Sequence, residues 1–345
     1  MKTIALDVHS KLSQMAVVTE DGEVLLELQV ATTADELRRV VSGVGGPKQV
    51  VMEEGPMSAM IVDALTGVAD TVVSCDPTKN ALIARSDNSD DEHDARRLAH
   101  LARTNMIHEI YQAPEPFRNL RSLMHHDYKL SIEIARPKNA LKALCRRIGI
   151  RYSKRSLYPR EGRLAAAKQI GDPGLRWQFE SLWRQMNLIR LERVRASKII
   201  RRQARKLPVV ARLQTIPGIA RTNGPVLASY IVDPKRFRTR SALASYAGLG
   251  ISSDRSNWKD ARRSRASKRG NRELKRALFI AARTNLRMDN ALRARYDARI
   301  ASGWEDSKAI RDIARTILRI ACAIWEKGEY DDALVSVPVP TRRDR

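Results

Sequence analysis

Residues 3–30 read TIALDVHSKLSQMAVVTEDGEVLLELQV, and this stretch decides the fold of the first part of the chain. It holds an apolar run that ends at Asp7, followed by two apolar runs that flank Asp21-Gly22. An Asp-Gly pair between two apolar runs is typical of a β-hairpin turn. The stretch therefore predicts three strands, and the second and third form a hairpin.

The next segment alternates predicted helices and strands. Thr33-Ala34-Asp35-Glu36 fits a capping box, which opens a helix over 37–44. The later elements are a strand ending at Glu53, a helix over 57–65, a strand over 71–75 and a helix over 91–103. The resulting order (three strands, helix, strand, helix, strand, helix) is that of the ribonuclease-H-type α/β fold.

Acidic residues stand at the ends of these predicted elements: Asp7, Glu53 or its neighbour Glu54, Asp91 and Asp94. Carboxylates gathered without basic partners raise one another's pKa values, and divalent cations relieve that repulsion. Mg²⁺ suits oxygen ligands, and a pair of ions about 4 Å apart stabilises the attacking and leaving oxygens of phosphodiester chemistry. Each acid taken singly also fits an ordinary surface or helix-opening residue.

The charge is divided unevenly along the 345 residues. Residues 1–112 carry a net charge of −8 and residues 113–345 carry +32, which together give +24. A segment this basic is predicted to bind the phosphate backbone of a nucleic acid. A ribosome-associated protein and a solvated helical surface are the alternatives that charge alone leaves open.

The cysteines and the hydropathy of the chain indicate in which cellular compartment the protein is located. Cys75, Cys145 and Cys322 are far apart and form no CxxC pair, which favours a reducing cytoplasm and disfavours a zinc site. No run of about 18 uncharged apolar residues occurs, and Asp7 interrupts any signal-peptide core. We therefore expect neither a membrane partner nor secretion.

The basic segment is predicted to be mainly helical. Residues 113–207 show apolar positions three and four apart, typical of two long helices in a coiled-coil arm, with a kink or break near Arg136 caused by Pro137. Residues 208–330 form a further helical domain, and 331–345 a tail, of which 337–345 is predicted to be disordered. The first domain is predicted to span 1–112.

Two short motifs of the basic segment predict contacts with nucleic acid. Pro217 and Gly218 form a tight turn between two short helices, as in the helix-hairpin-helix device that grips a DNA phosphate. Lys268, Arg269 and Asn271 surround a glycine in a strongly basic run. These five residues are the predicted nucleic-acid contacts, and a plain turn is the alternative for the first two.

Several motifs occur together in the order seen in one family. They are Ala-Leu-Asp-Val-His-Ser at 5–10, Met-Glu-Glu-Gly at 52–55, Asp-Glu-His-Asp-Ala-Arg at 91–96, Ile-Pro-Gly-Ile at 216–219, Tyr-Ala-Gly-Leu at 246–249 and Ser-Lys-Arg-Gly-Asn at 267–271. On these residues the chain resembles the DEDD transposases of the insertion-sequence one-ten family over 3–330.

This resemblance implies a site-specific DNA recombinase with a Holliday-junction-resolvase-like domain, a coiled-coil arm and a helical transposase domain. It implies four catalytic carboxylates that bind Mg²⁺ and a serine that attacks DNA to form a phosphoserine link: Asp7, Glu53, Asp91, Asp94 and Ser256. It also implies double-stranded DNA at element ends and targets, a structured bridge RNA as guide, and a dimer or tetramer. The implied location is the nucleoid of a bacterial or archaeal cytoplasm.

The chain departs from the family pattern at three places. Ser256 is placed by counting from Gly248-Leu249, but Asn257 follows it where the family usually has glycine, which leaves Ser252 and Ser253 as alternatives. Ser89-Asp90 stands where the family often has Lys-Thr, and Pro137 falls in a helix that family members generally continue.

Two other functions stay open at this stage. One is a structure-specific nuclease or junction resolvase, which would use water and the carboxylates without a serine. The other is a catalytically inactive nucleic-acid-binding protein.

Overall fold

The structure is a computed structural model that describes residues 1–79, 91–153, 157–253, 264–266 and 269–336, with the backbone alone at 91–93, 251–253, 264–266 and 336. The chain divides into two compact units, Met1–Ala113 and Pro114–Arg345. The division of the second part at residue 207 remains a prediction. None of the helices among the described residues combines the length and the apolar character that a membrane span needs.

The first unit is built on a six-stranded sheet in the order β3-β2-β1-β4-β5-β6. Its strands are β1 (Lys2–Asp7), β2 (Leu12–Val18), β3 (Val24–Ala31), β4 (Lys48–Glu53), β5 (Thr71–Cys75) and β6 (Glu109–Ile110). β1, β2 and β3 pair antiparallel, β4 and β5 run parallel to β1, and β6 returns antiparallel to β5. The hairpin predicted at Asp21-Gly22 is present, and Gly22 takes the positive φ that its turn requires.

The described residues of this unit include the helices α1 (Ala34–Gly43), α2 (Ser58–Leu65) and α3 (Asp91–Arg103). The hydroxyl oxygen of Thr33 accepts a hydrogen bond from the Glu36 backbone N–H, as the capping box predicts. The Glu36 carboxylate pairs instead with Arg39, one turn further along the exposed face. Only the threonine half of the predicted capping box is therefore seen.

Successive residues of β1 face opposite layers. Ile4 and Leu6 are buried in one apolar cluster with residues of α1 and α2, whereas Ala5 is buried in another with Leu98 and Ala99 of α3. This alternation is the two-residue period of a strand that is buried on both faces. The first unit is thus an α/β fold with helices on both sides of its sheet.

The second unit is mostly helical. Its helices are α4 (Glu115–Glu133), α5 (Ala135–Arg147), α6 (Arg160–Lys168), α7 (Pro173–Ala204), α8 (Pro208–Leu213), α9 (Asn223–Ile231), α10 (Arg240–Tyr246), α11 (Arg272–Asn285), α12 (Ala291–Ala301), α13 (Asp306–Ala323) and α14 (Ala333–Ser336). A short 3-10 turn, Pro234–Arg236, precedes α10. Two short strands, β7 (Ile251–Ser253) and β8 (Ser264–Ala266), pair antiparallel between α10 and α11.

The predicted arm corresponds to α4 and α5 packed against the long helix α7. Phe179, early in α7, shares an apolar cluster with Leu141 of α5, whereas Ile200, late in α7, shares another cluster with Leu120 of α4. The two stretches therefore run antiparallel. Supercoiling of a coiled-coil kind remains a prediction.

The first stretch of the arm is interrupted at Ile134, two residues before the predicted kink at Arg136. Pro137 lies one turn beyond the interruption, and it has no N–H to donate to the Glu133 carbonyl. The break therefore falls where the missing hydrogen bond would have closed the helix.

The C-terminal part of the second unit has one continuous core. Helices α8, α9, α10, α11 and α13 all contribute fully buried apolar side chains to it, with the middle of α13 the most deeply buried. The predicted tail at 331–345 begins with α14, whose Val335 is buried in this core. The residues predicted to be disordered, 337–345, lie outside the described part of the chain.

Two glycines fix the packing between α10 and α11. Gly270 has φ +110°, and a Cβ placed on it would lie 2.5 Å from both the Cα and the backbone nitrogen of Gly248. Gly248 itself has φ +68°. Both backbone segments need glycine because the chain turns there through the left-handed region and the two backbones touch.

Gly270→Ala is therefore expected to destabilise the second unit by about 2 kcal/mol or more, since a methyl group would force the two backbones apart. Gly303→Ala is the matched control, because Gly303 has φ +81° but no atom within 4 Å of its Cβ position. The control should cost about 1 kcal/mol from the backbone conformation alone. Urea unfolding followed by circular dichroism measures both, and equal losses would contradict the close approach.

Candidate carboxylate site and nucleic-acid contacts

Two carboxylates stand side by side at one edge of the sheet because β1 and β4 are parallel neighbours. Leu6 pairs with Met52, so the residues that end the two strands, Asp7 and Glu53, come next to each other. The carboxyl ends of parallel strands are where α/β folds commonly place their functional groups. The strand pairing thus brings together the first two predicted site residues.

Helix α3 brings Asp94 to the same region. Its inner face carries three buried alanines, Ala95, Ala99 and Ala102, beside Leu98, and these small side chains allow the helix to lie close to the sheet. Arg96 holds the helix from outside by donating two hydrogen bonds to the carboxylate of Glu27 on β3. The helix that carries Asp94 is thus fixed by packing on one side and by an ion pair on the other.

The Glu53 carboxyl shows that these acids are close enough to interact. Burial raises the pKa of Glu53 above its usual range, and the negative charges of Asp7, Asp94 and Asp76 raise it further. All four lie in the first unit. Like charges that share a site disfavour each other's ionisation, which is the electrostatic signature of a clustered carboxylate site.

Asp76 is a member of this group that the sequence analysis missed. It directly follows β5, whose Cys75 pairs with Glu53, so it ends the third parallel strand as Asp7 and Glu53 end the first two. Its carboxylate accepts a hydrogen bond from the Thr78 backbone N–H at 3.1 Å. An acid directly after a predicted strand was the available signal.

The three acids that act on Glu53 each have a partner of their own. The Asp7 carboxylate lies 3.0 Å from Nε2 of His9, and the Asp94 carboxylate accepts a hydrogen bond from Arg97 at 3.3 Å. Asp76 pairs with Lys79 at 3.8 Å. These contacts orient the side chains within the cluster without removing the mutual repulsion felt by Glu53.

Glu54, the alternative to Glu53, is engaged elsewhere. Its carboxylate accepts a hydrogen bond of 2.6 Å from Gln112, and its backbone N–H donates to the carbonyl of Cys75. It is not among the groups that raise the pKa of Glu53. The geometry therefore favours Glu53 as the strand-end acid of the cluster.

The cluster has the donor chemistry of a metal site but not a complete set of ligands among the described side chains. In the described residues no three side chains of the His, Cys, Asp or Glu type come close enough to coordinate one ion together. The side chain of Asp91, which begins α3, lies outside the described atoms. The donors that do converge are all carboxylate oxygens, and this chemistry fits a hard divalent cation.

The Pro217-Gly218 turn lies between α8 and α9, as predicted, and is held from within the second unit. Asn285 donates a hydrogen bond to the Pro217 carbonyl, and Asn223 donates one to the Gly218 carbonyl. Gly218 has φ +81°, and a Cβ on it would lie 2.4 Å from the Ala281 carbonyl oxygen. The turn is therefore a rigid feature, and its glycine is needed for packing.

The remaining predicted nucleic-acid contacts and the candidate serines differ in what surrounds them and in whether the structure describes them. Asn271 caps α11 by accepting a hydrogen bond from the Leu274 N–H, so its side-chain oxygen already has a structural role. Arg269 is exposed. Lys268 and Ser256 lie outside the described residues, as do 254–263 between β7 and β8. The alternatives Ser252 and Ser253 belong to β7.

Comparison with known proteins gives matches over both units. Residues 4–150 match a family model of DEDD transposases of IS110 elements, and residues 210–297 match one described as the transposase IS116/IS110/IS902 family. A protein of Streptomyces coelicolor, described as an insertion element IS110 uncharacterized 43.6 kDa protein, is 32% identical over 123 residues. That match spans 36% of this chain and 30% of the relative.

Asp94→Asn is expected to lower the pKa of Glu53, because it removes one of the negative charges that raise it. Carbon-13 NMR titration of glutamate-labelled protein in a chelating buffer measures this directly. Asp35→Asn, at the exposed start of α1, is the matched control and should leave the Glu53 titration unchanged. An identical titration in both variants would show that Asp94 does not act on Glu53.

Proposed function

Because the chain belongs to the IS116/IS110/IS902 family of transposases, we propose that it is the DNA transposase of an insertion sequence, a recombinase that cuts and rejoins DNA strands. Two family models match it in the order expected of one protein, the first over the α/β unit together with α4 and α5, and the second over residues 210–297 of the C-terminal helical part. We assign the substrates as the double-stranded ends of the element and its target.

The first unit is proposed to be a ribonuclease-H-like catalytic domain of the Holliday-junction-resolvase kind. The support is its sheet, in which an antiparallel meander of three strands is followed by two parallel strands on the far side of β1. Helices on both faces and acids at the parallel strand ends fit the same assignment.

The observation that carries the proposal is the parallel pairing of β1 with β4, which sets Asp7 beside Glu53, where Asp94 also acts on the Glu53 carboxyl. A protein gains no stability from carboxylates that repel each other, so a cluster of this kind points to a function. The rest of the chain is strongly basic. This cluster is therefore the place where the acidic unit would act on a polyanionic substrate.

We propose Asp7, Glu53, Asp91 and Asp94 as the residues that hold Mg²⁺. When bound, this cation supplies charge neutralisation and polarises a phosphate oxygen. The residues themselves provide an oxygen-only set on β1, β4 and α3, and the contact with His9 orients Asp7. Asp76 lies beside this set and adds to its negative charge.

Ser256 is the proposed nucleophile. Its hydroxyl oxygen would form a bond to a DNA phosphorus, the sugar oxygen would leave with a proton, and the serine proton would pass to a base. Attack by a second DNA strand end on the phosphoserine would reverse this exchange, so the number of phosphate ester bonds is conserved. The family motif at 246–249 and the stem formed by β7 and β8 support the placement.

We further propose that a structured RNA guides the choice of donor and target, and that the protein acts as a dimer or tetramer in the nucleoid of a prokaryotic cytoplasm. The basic residues of the second part of the chain support the binding of polynucleotides. The predicted contacts for this role are Pro217, Gly218, Lys268, Arg269 and Asn271.

A covalent-trapping experiment tests the enzyme proposal. Incubation of the full chain with labelled element-end DNA and Mg²⁺ should give a protein–DNA adduct that survives denaturation. Ser256→Ala should abolish the adduct, and Asp7→Asn should reduce it by about a hundredfold or more, because transition-state charge stabilisation of this kind is worth about 3 kcal/mol. Ser252→Ala is the matched control and should keep the adduct.

Other outcomes would select the alternative functions. Unchanged cleavage by Ser256→Ala without any adduct would favour a nuclease or junction resolvase that uses water. Normal excision of the element in cells that carry Asp7→Asn would favour an inactive nucleic-acid-binding protein. Either result contradicts the serine transposase.

The guide proposal has its own measurement. RNA that copurifies with the full chain from cells carrying the element should be enriched in a transcript encoded next to the gene. Arg269→Gln should lower the recovered amount if this residue contacts the RNA. A copurifying pool that matches total cellular RNA would contradict a dedicated guide.

A further inference from the structure

Helix α13 carries a row of arginines along one side. Arg311, Arg315 and Arg319 are spaced four residues apart, so they lie on the same helix face, one above another. The opposite side is mainly apolar and is buried in the core of the second unit. At a rise of 1.5 Å per residue the row is straight and about 12 Å long.

The row has few partners for its charge. In the described part of the chain, Arg311 and Arg315 make no hydrogen bond or ion pair, and Nε of Arg311 is buried without an acceptor. Arg319 donates to the backbone carbonyls of Leu334 and Val335, which are neutral groups. Partly buried guanidinium groups without a counterion are costly, since desolvation is not offset by attraction.

Neighbouring helices add positive charge. Burial lowers the pKa of Arg319, and the positive charges of Arg295 in α12 and Arg240 at the start of α10 lower it further. Asp312, the acid that interrupts the row, is already shared by Arg295 and Arg299 at 2.8 and 3.1 Å. The Asp312 carboxylate is therefore already engaged by two arginines of α12, and no ion pair joins it to the row in the described part of the chain.

We propose that Arg311, Arg315 and Arg319, with Arg240 beside them, bind the phosphate backbone of double-stranded DNA. A straight row of guanidinium groups suits successive phosphates, which it contacts without reading the base sequence. The C-terminal segment holds Arg319 in place through its carbonyls. This inference rests on the proposed function for its substrate, and it adds a surface separate from the residues predicted at 217–218 and 268–271.

The test compares full-length variants for binding to a DNA duplex of arbitrary sequence over a series of salt concentrations. The double variant Arg311→Gln/Arg315→Gln removes two charges and leaves Arg319 untouched. The slope of log affinity against log salt should fall by about 2, because each lost phosphate contact removes close to one released counterion.

Three comparisons make the result specific. Arg283→Gln/Arg287→Gln is the matched control, an exposed pair four residues apart at the end of α11, and it should keep the wild-type slope. Arg311→Lys/Arg315→Lys should restore most of the affinity, since it returns the charge. Unchanged thermal melting of all the variants shows that folding is intact.

Several outcomes would overturn the inference. Equal slopes for the Gln variant and the control would do so, and so would a loss seen with double-stranded RNA of the same sequence but not with DNA. If the wild-type chain binds DNA and forms the Ser256 adduct while the Gln variant binds normally, this inference fails alone. If the wild-type chain binds no duplex DNA, the proposed function fails with it.

Discussion

The parallel pairing of β1 with β4 is the constraint on which the candidate site depends. It fixes Asp7 and Glu53 next to each other, where their charges oppose folding. Apolar layers on both faces of the sheet offset that repulsion, and the small alanine face of α3 permits the close approach that adds Asp94. Apolar packing on both faces of the sheet therefore stabilises the first unit against the repulsion among the carboxylates at this edge.

Much of this could be predicted from sequence because the signals are local. Asp21-Gly22 marked the hairpin, Thr33 marked a helix start, and apolar runs followed by acids marked Asp7 and Glu53. Asp76 was missed because its membership depends on β5 lying beside β4, a pairing between distant segments. Likewise, the engagement of Glu54 by Gln112 is a contact 58 residues apart, which no local pattern indicates.

In the helical second unit, prediction from sequence is limited in a different way. The spacing of apolar residues predicted the helices of the arm, and Pro137 predicted a break near Arg136. The break lies at Ile134 because Pro137 leaves the Glu133 carbonyl without a donor. The strands β7 and β8 were not expected, since three-residue strands carry too little pattern to recognise. Asn271, the last residue of the Ser-Lys-Arg-Gly-Asn motif, caps α11. Its place in the motif therefore has a role in folding as well as in any contact with nucleic acid.

The backbone contact between Gly248 and Gly270 has a consequence for chain length. The contact and the pairing of β7 with β8 bring together the two ends of the segment that includes 254–263. Once the ends are joined, each doubling of an enclosed loop costs only about 0.6 kcal/mol in closure entropy. The separation between the end of α10 and the start of α11 is therefore set by the Gly248–Gly270 contact, and it depends only weakly on how many residues the chain contains between them.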